Sequence, residues 1–396
     1  MTPPATLDIP EPVLAIARTL DAAGHEAWCV GGAIRDALLG DRQSDVDLAT
    51  SATPDEVQRL FRHTVPVGVR FGTVGVLDRD RRLHEVTTFR QDVETDGRHA
   101  VVRYGASLDE DLARRDFTIN AIAYHPLRHE WRDPFGGRAD LEAGVVRAVG
   151  DPAARFREDY LRILRGLRFA ARFGFAIEPA TWAAMVAAAP GLAHLSAERV
   201  RDEWMKGLVS ARSLARFTAL WRDAGAARAW LPELRPAAAL EAALGRADAE
   251  PRDPVLLTLL ACEQAAAVLR RLRASNAEVA RAEAVERAAA GPGSADEVAV
   301  RRWLASAGDA WRDVRWLAAM RDGVEPAWGP VAARIVERGD PLTRGALAVG
   351  GADLRAVGVA PGPAMGRTLD ALLDRVLERP ELNTRDALLA LARELA

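Results

Sequence analysis

Apolar positions along the chain follow two rhythms, and the change between them falls near residue 150. Before it, short apolar runs at Glu26–Val30, Asp45–Leu48, Thr64–Val67, Thr73–Leu77 and Leu83–Phe89 have the length and β-branched content of strands, with Asp78-Arg79-Asp80 turning between the last two. Helical stretches lie among them over Pro10–Leu20, Ala33–Leu39, and from Thr53 to about Arg62. Thr53-Pro54-Asp55-Glu56 and Ser107-Leu108-Asp109-Glu110 both read as capping boxes. The polar stretch from Arg90 to Ala106 has no useful period and reads as a mobile loop. After Gly150-Asp151-Pro152 apolar residues recur every three or four positions, beginning with one helix over Phe156–Phe173, and no convincing strand follows. Breaks at Ala189-Pro190-Gly191, Leu231-Pro232, Ala290-Gly291-Pro292-Gly293 and Gly339-Asp340-Pro341 separate helical bundles. The Ala-rich stretch Ala237–Ala290 keeps the spacing of ordinary amphipathic helices. The pattern predicts an α+β fold: an N-terminal head with a small mixed β-sheet over residues 1–150, a helical neck over 151–209, and a helical body and tail over 210–396.

Composition changes this picture little. A length of 396 residues allows several domains, and a net charge of −3 argues against a uniformly basic nucleic-acid binder while permitting a local basic patch. Lys206 is the only lysine, so positive charge is carried almost wholly by arginine. Cys29 and Cys262 are far apart in apolar surroundings, which disfavours a disulfide framework or a zinc site and suits a reducing cytoplasm. Neither a signal sequence nor a run of 18 apolar residues addresses the chain to a membrane, and no protein partner is evident.

The chemistry concentrates in Trp28–Thr50. Gly31-Gly32 stands where a strand runs into a helix, a turn at which backbone N–H groups approach an anion closely beside the positive end of the helix dipole. Arg35 follows one helical turn later. Asp45 and Asp47 lie two residues apart on a predicted strand and so project from one face. A pair of carboxylates is costly without a cation, and hard oxygen ligands beside a phosphate cradle suit Mg²⁺. Two such ions could activate an attacking hydroxyl and steady a leaving pyrophosphate. An isolated Asp-x-Asp is most often a solvated loop or cap; its company here raises the metal reading above that default.

These residues carry a resemblance. VGGAIRDALLG followed by SDVDLAT is similar to the signature of the class II tRNA nucleotidyltransferase and bacterial poly(A) polymerase family, within the polymerase-β-like superfamily. The likeness is strong over residues 26–205 and weak beyond. It implies that Asp45 and Asp47 are catalytic metal ligands, with Gly31, Gly32 and Arg35 on the triphosphate. Glu85 is a candidate for a third metal carboxylate.

Two further stretches gain meaning from it. Arg114-Arg115-Asp116-Phe117-Thr118-Ile119-Asn120-Ala121 offers charge-assisted contacts to a triphosphate and acceptors for ribose hydroxyls, although alone it would read as an Arg–Asp pair pinning a helix end. The resemblance places Arg115, Asp116 and Asn120 on the nucleotide. Glu158-Asp159-Tyr160-Leu161-Arg162 with Arg165 and Arg168 would by default be a solvated helix face; in the family, EDxxR followed by arginines reads the base. Cytosine and adenine both present an exocyclic amine beside a ring-nitrogen acceptor. Asp159 and Arg162, expected as i,i+3 neighbours on one helix, can accept from the first and donate to the second. Uracil and guanine reverse both groups, at roughly 1–3 kcal/mol for each lost pairing. Arg165 and Arg168 would then orient Asp159 or hold the triphosphate. Glu198-Arg199-Val200-Arg201-Asp202-Glu203 resembles the family's ERxxxE element and is expected to brace the base-reading helix from outside the site.

In the tail, Gly351-Ala352-Asp353 opens a helix that could hold a tRNA phosphate or simply pack. All seven histidines precede the helical body, so a C-terminal His-Asp phosphohydrolase site is not expected. The resemblance thus implies an Mg²⁺-dependent enzyme adding CCA to the tRNA 3′ end from CTP and ATP, with the 90–106 loop as the lever that changes specificity. Its alternatives are a poly(A) polymerase, an enzyme adding only CC or only A, and a catalytically silent RNA-binding relative. Val67–Val74 resembles the CCA-adding version of its strand.

Overall fold

A computed structural model of the chain describes residues 6–40, 46–68, 72–95 and 100–395. It forms two compact units, Met1–Pro232 and Glu233–Ala396. The head opens with α1 (Glu11–Ala22), β1 (Ala27–Val30), α2 (Gly32–Leu38), β2 (Asp47–Thr50) and α3 (Pro54–Leu60). β3 (Thr64–Gly68), β4 (Thr73–Leu77) and β5 (Leu83–Thr88) follow. With β8 (Ala123–His125) and β9 (Glu130–Arg132) they build a seven-stranded mixed sheet in the order β3-β4-β5-β2-β1-β8-β9, in which β2 and β5 run parallel and the other pairs antiparallel. Period-2 alternation is visible in β5, where His84, Val86 and Thr88 are buried and Leu83 and Glu85 exposed. Trp28, Val30, Ala49, Phe89, Leu112 and Ala123 join under the sheet in one apolar cluster. Both expected capping boxes form, at Thr53 and at Ser107, the latter opening α4 (Leu108–Ala113).

Three expectations need correction. The stretch 90–106 is not a featureless loop: β6 (Arg90–Thr95) and β7 (Ala100–Tyr104) pair as an antiparallel hairpin from Arg90↔Tyr104 to Thr95↔Ala100, while residues 96–99 lie outside the described residues. Ladder hydrogen bonds supply what the side chains do not announce. The helix expected over Phe156–Phe173 is two, α6 (Pro152–Glu158) and α7 (Leu161–Phe173), broken where Asp159 takes an extended conformation with φ −155° and ψ 106°. A short strand also exists past residue 150, where Ala176–Ile177 pairs in parallel with Val145–Val146. Two residues of ladder leave no periodicity to read.

α7 is pressed against the head. A Cβ on Gly166 would meet Met185 Cε at 2.3 Å and Phe117 Cζ at 2.8 Å, so only glycine permits that approach. α9 (Ala197–Ser210) packs on α7, and its buried Trp204 stacks on Phe217. The second unit is helical from Ala237–Ala247 to Arg385–Leu395, and the Ala-rich region resolves into four ordinary helices. At Gly351–Ala356 the backbone N–H of Gly350 is met by the carboxylate of Asp353. Among the described residues no helix is long and apolar enough to cross a membrane.

Candidate active site

A cavity of about 550 Å³ opens in the first unit between the Gly31-Gly32 turn and α7. Of the expected site residues within the described part of the chain, all but Glu85 line it: Gly31, Gly32, Arg35 and Asp47 from the sheet end, Arg115, Asp116 and Asn120 from the loop after α4, and Asp159, Arg162, Arg165 and Arg168 from the neck. Asp45 lies outside the described residues, as do residues 69–71 of the Val67–Val74 stretch. Glu85 sits one residue before Val86, which pairs with Leu48, but it does not line the cavity.

The sheet register sets the mouth. Val30 pairs with Asp47, so the exposed Asp47 carboxylate begins its strand beside the turn where β1 ends. Gly31 has φ +78°, a conformation that L side chains avoid, and a Cβ there would stand 3.1 Å from Arg115 Nη1. The missing side chain therefore lets a guanidinium approach the turn. Arg115 is fixed from behind by Asp111, a carboxylate only 1% exposed that also accepts from Arg114. Burial would raise the Asp111 carboxyl, but the two guanidiniums outweigh it and hold it below the usual carboxylate range.

Arg35 is buried beneath the turn. Its Nη1 donates to Asn120 Oδ1 at 2.5 Å and its Nε to Asp36 Oδ1 at 2.8 Å. Burial depresses its basicity, and Asp36 partly restores it. Asn120 Nδ2 in turn donates to Asp116 Oδ1 at 2.8 Å, and Arg165 Nε donates to Asp116 Oδ2 at 2.7 Å. Burial pushes the Asp116 carboxyl up, yet Arg165 and the bonds from Asn120 and the Phe117 N–H prevail and bring it down to about 2. One chain of charge-assisted bonds thus runs from the Gly-Gly turn through the Arg115–Asn120 loop into α7.

The neck residues differ from expectation in their contacts. Because the helix breaks at Asp159, this carboxylate is not an i,i+3 helical neighbour of Arg162. Its Oδ1 accepts from the Leu161 N–H at 3.0 Å and its Oδ2 from Arg199 Nη2 at 2.6 Å. Arg199, expected only to brace, stands in the cavity wall. Arg162 donates to Glu158, to the Arg155 carbonyl and to the Arg114 carbonyl. Neither Arg165 nor Arg168 is the partner of Asp159: Arg168 Nε reaches Glu203 Oε2 at 2.6 Å. The bracing expected of Glu198–Glu203 is present in this Arg168–Glu203 pair. Arg172 and Asp36, 2.9 Å apart, also belong to this region. Arg172 continues the spacing of Arg162, Arg165 and Arg168 along α7, a signal present in the sequence.

Among the described residues no three His, Cys, Asp or Glu side chains gather as a metal cage. Asp47 supplies an exposed carboxylate at the cavity mouth, and Asp45 precedes it by two residues. That donor type fits a hydrated hard divalent cation better than a soft one.

Known proteins resemble this chain over most of its length. The Poly A polymerase head domain family matches residues 27–147, and the family described as a probable RNA and SrmB-binding site of polymerase A matches 174–237. The CCA-adding enzyme of Lactiplantibacillus plantarum is 35% identical over 99% of this chain and 97% of its own, and that of Geobacillus stearothermophilus 37% identical over 95% of both. Matches at higher identity are shorter: 48% with the CCA-adding enzyme of Leuconostoc mesenteroides, over 52% of this chain and about half (51%) of that relative's length. The crystal structure of the Bacillus stearothermophilus CCA-adding enzyme in complex with CTP superimposes with a TM-score of 0.78 at 36% identity, covering 97% of this chain and 96% of that one. With likeness sustained along nearly the whole length of several relatives, and the head signature at its centre, the chain belongs to the CCA-adding enzyme family of nucleotidyltransferases.

Proposed function

We propose that this chain adds C, C and A to the 3′ end of tRNA, taking CTP and ATP in turn and releasing pyrophosphate. The terminal ribose hydroxyl oxygen attacks the α-phosphorus, the bond from that phosphorus to the β-phosphate oxygen breaks, and the hydroxyl proton passes to water. The observation that carries this reading is that Asp47, at the sheet end, and Asp159 with Arg162, more than a hundred positions later, line one cavity with arginines between them.

Within it Asp47, together with Asp45, holds Mg²⁺. The metal, when bound, supplies charge neutralisation at the reacting phosphate and lowers the pKa of the attacking hydroxyl. The Gly31-Gly32 turn offers its N–H groups to the triphosphate, and Arg35 adds charge from below while locking Asn120. Arg115, Asp116 and Asn120 receive the sugar and phosphates. Asp159 accepts from the exocyclic amine of cytosine or adenine and Arg162 donates to the ring nitrogen, each swinging partly off its present partner; Arg165 and Arg168 face the phosphates. Residues 1–150 act as catalytic head, 151–209 as base-reading neck, and 210–396 as the part that grips tRNA.

The test is direct. The pure protein is given tRNA ending at the discriminator base with each nucleoside triphosphate singly and then CTP and ATP together. Two C residues from CTP alone and a completed CCA from the mixture are expected. Long adenylate tails from ATP alone would indicate poly(A) polymerase, and no incorporation would indicate a silent RNA-binding relative.

A further inference from the structure

Three guanidiniums share one phenyl ring in the cavity wall. The central carbons of Arg168, Arg35 and Arg165 lie 4.4, 5.0 and 5.3 Å from the centroid of Phe169. The ring is 3% exposed, and Phe117 meets it edge-on at 6.0 Å between centroids. Each of the three cations has its own carboxylate, on a different part of the fold: Asp36 beside Arg35 on α2, Asp116 in the loop after α4, and Glu203 on α9. Three ion pairs alone would draw three guanidiniums towards three elements. What they have in common is the ring.

We propose that Phe169 is a positioning residue for the triphosphate: its π face gathers Arg35, Arg165 and Arg168 into one cluster and holds them aimed at the cavity. The inference rests on the nucleotidyl-transfer reading above and extends it to a residue that has no polar atom. Like charges this close repel, and a buried wall costs them hydration. An aliphatic side chain of the same bulk would fill the space without returning anything for either cost, whereas the negative face of an aromatic ring attracts all three at once. Phe173 repeats the device one turn on, lying 4.9 Å from the Arg35 carbon and 4.8 Å from that of Arg172. Asp36, Asp116 and Glu203 keep the cluster near neutrality until a polyanion arrives. Because the three cations address phosphate, not base, the ring governs affinity for every nucleotide equally.

Phe169→Leu and, separately, replacement of Phe169 by phenylalanines of increasing ring fluorination are compared with wild type for incorporation into tRNA lacking its terminus. Fluorination drains the face of negative charge while nearly preserving shape, so it weakens the cation contacts without the change of side-chain shape that leucine brings. Expected is a KM for CTP and for ATP raised by about tenfold in Phe169→Leu, the sum of modest losses at several cations. It should rise stepwise with fluorination, with kcat within about twofold, discrimination against UTP and GTP unchanged, and every fluorinated protein fully folded at the assay temperature. Wild-type KM in the fluorinated series, or a loss of kcat with KM unchanged, would overturn the proposal while leaving the function intact. A wild type that binds neither CTP nor ATP would remove the functional reading and this inference with it.

Discussion

Arg165 donates to Asp116 at 2.7 Å, tying α7 to the loop that carries Arg115 and Asn120 across 49 positions of sequence. Asp116 is 8% exposed while Arg165 reaches it from a partly exposed position, and the acid has been brought down to about 2 from an ordinary value near 3.9. A carboxyl depressed on folding contributes stability that is complete above its unfolded value and disappears as pH falls towards its folded one. The contribution is about 2 kcal/mol, lost between roughly pH 5 and pH 2. Asp116→Asn leaves the part-exposed Arg165 beside a neutral amide and should destabilise the protein at pH 7 by about 2 kcal/mol, the linkage contribution itself. The gap between variant and wild type should narrow as pH drops through that window. Urea unfolding at pH 7 and near pH 3 measures it, and a gap independent of pH would contradict the pairing.

Arg199 holds the carboxylate proposed to read the base, Asp159. With Oδ2 of Asp159 held at 2.6 Å and Oδ1 on the Leu161 N–H, the carboxylate has a defined orientation although it sits at a helix break. Arg199→Ala frees it to rotate, so the contact that favours an exocyclic amine over a carbonyl weakens. UTP and GTP incorporation relative to CTP and ATP should rise by about tenfold, at the lower end of what one mismatched edge costs. Arg162→Ala should relax base choice in the same sense. Single-nucleotide incorporation under competing substrates reads both, and unaltered selectivity in both variants would mean that the base is read elsewhere.

Much of this arrangement was legible in the residues. The Gly-Gly turn, the strand at Asp47 and the two capping boxes announce themselves through local chemistry, and the long motifs fixed which side chains belong together. What the chain hides are relations set by tertiary contact. The break at Asp159 replaces the helix that Leu161, Ile163, Leu164 and Leu167 continue beyond it, and no glycine or proline marks it. The hairpin at Arg90–Tyr104 depends on cross-strand pairing that leaves no alternation of apolar and polar positions. Arg199 and Phe169 each sit in stretches whose ordinary reading is packing, and only their placement against Asp159 and three guanidiniums gives them a further part. Arg172 was readable in principle from the arginine spacing along α7.

Asp47 can be separated from the RNA-binding surfaces. Its carboxylate is exposed at the cavity mouth, so Asp47→Ala removes a donor without opening a hole in the core. Incorporation of both CTP and ATP should fall by about three orders of magnitude or more, since charge neutralisation at the reacting phosphate is worth several kcal/mol. Binding of tRNA, followed by retention on a filter, should stay within about twofold. Chelation of divalent ions should reduce the wild type to the level of the variant and leave the variant where it is. Residual metal-stimulated activity in Asp47→Ala would displace this residue from its assigned place.

The two glycines of the turn serve different ends and should fail differently. Gly31 has φ +78° and ψ −140°, a region nearly closed to other residues, so Gly31→Ala should cost about 2 kcal/mol of stability and also push Arg115 from its 3.1 Å approach. Gly32 is the first residue of α2, and a Cβ there would lie 3.4 Å from Arg35 Nη2, a tolerable contact. Gly32→Ala should therefore leave the unfolding free energy unchanged or slightly raised. If the turn receives phosphate through its backbone, that added methyl still stands where the anion must come, and KM for CTP and ATP should rise severalfold with the stability intact. Equilibrium unfolding and steady-state kinetics on the two variants separate the effects. A Gly32→Ala protein with wild-type KM would remove the phosphate from this turn and leave Gly31 as a purely conformational requirement.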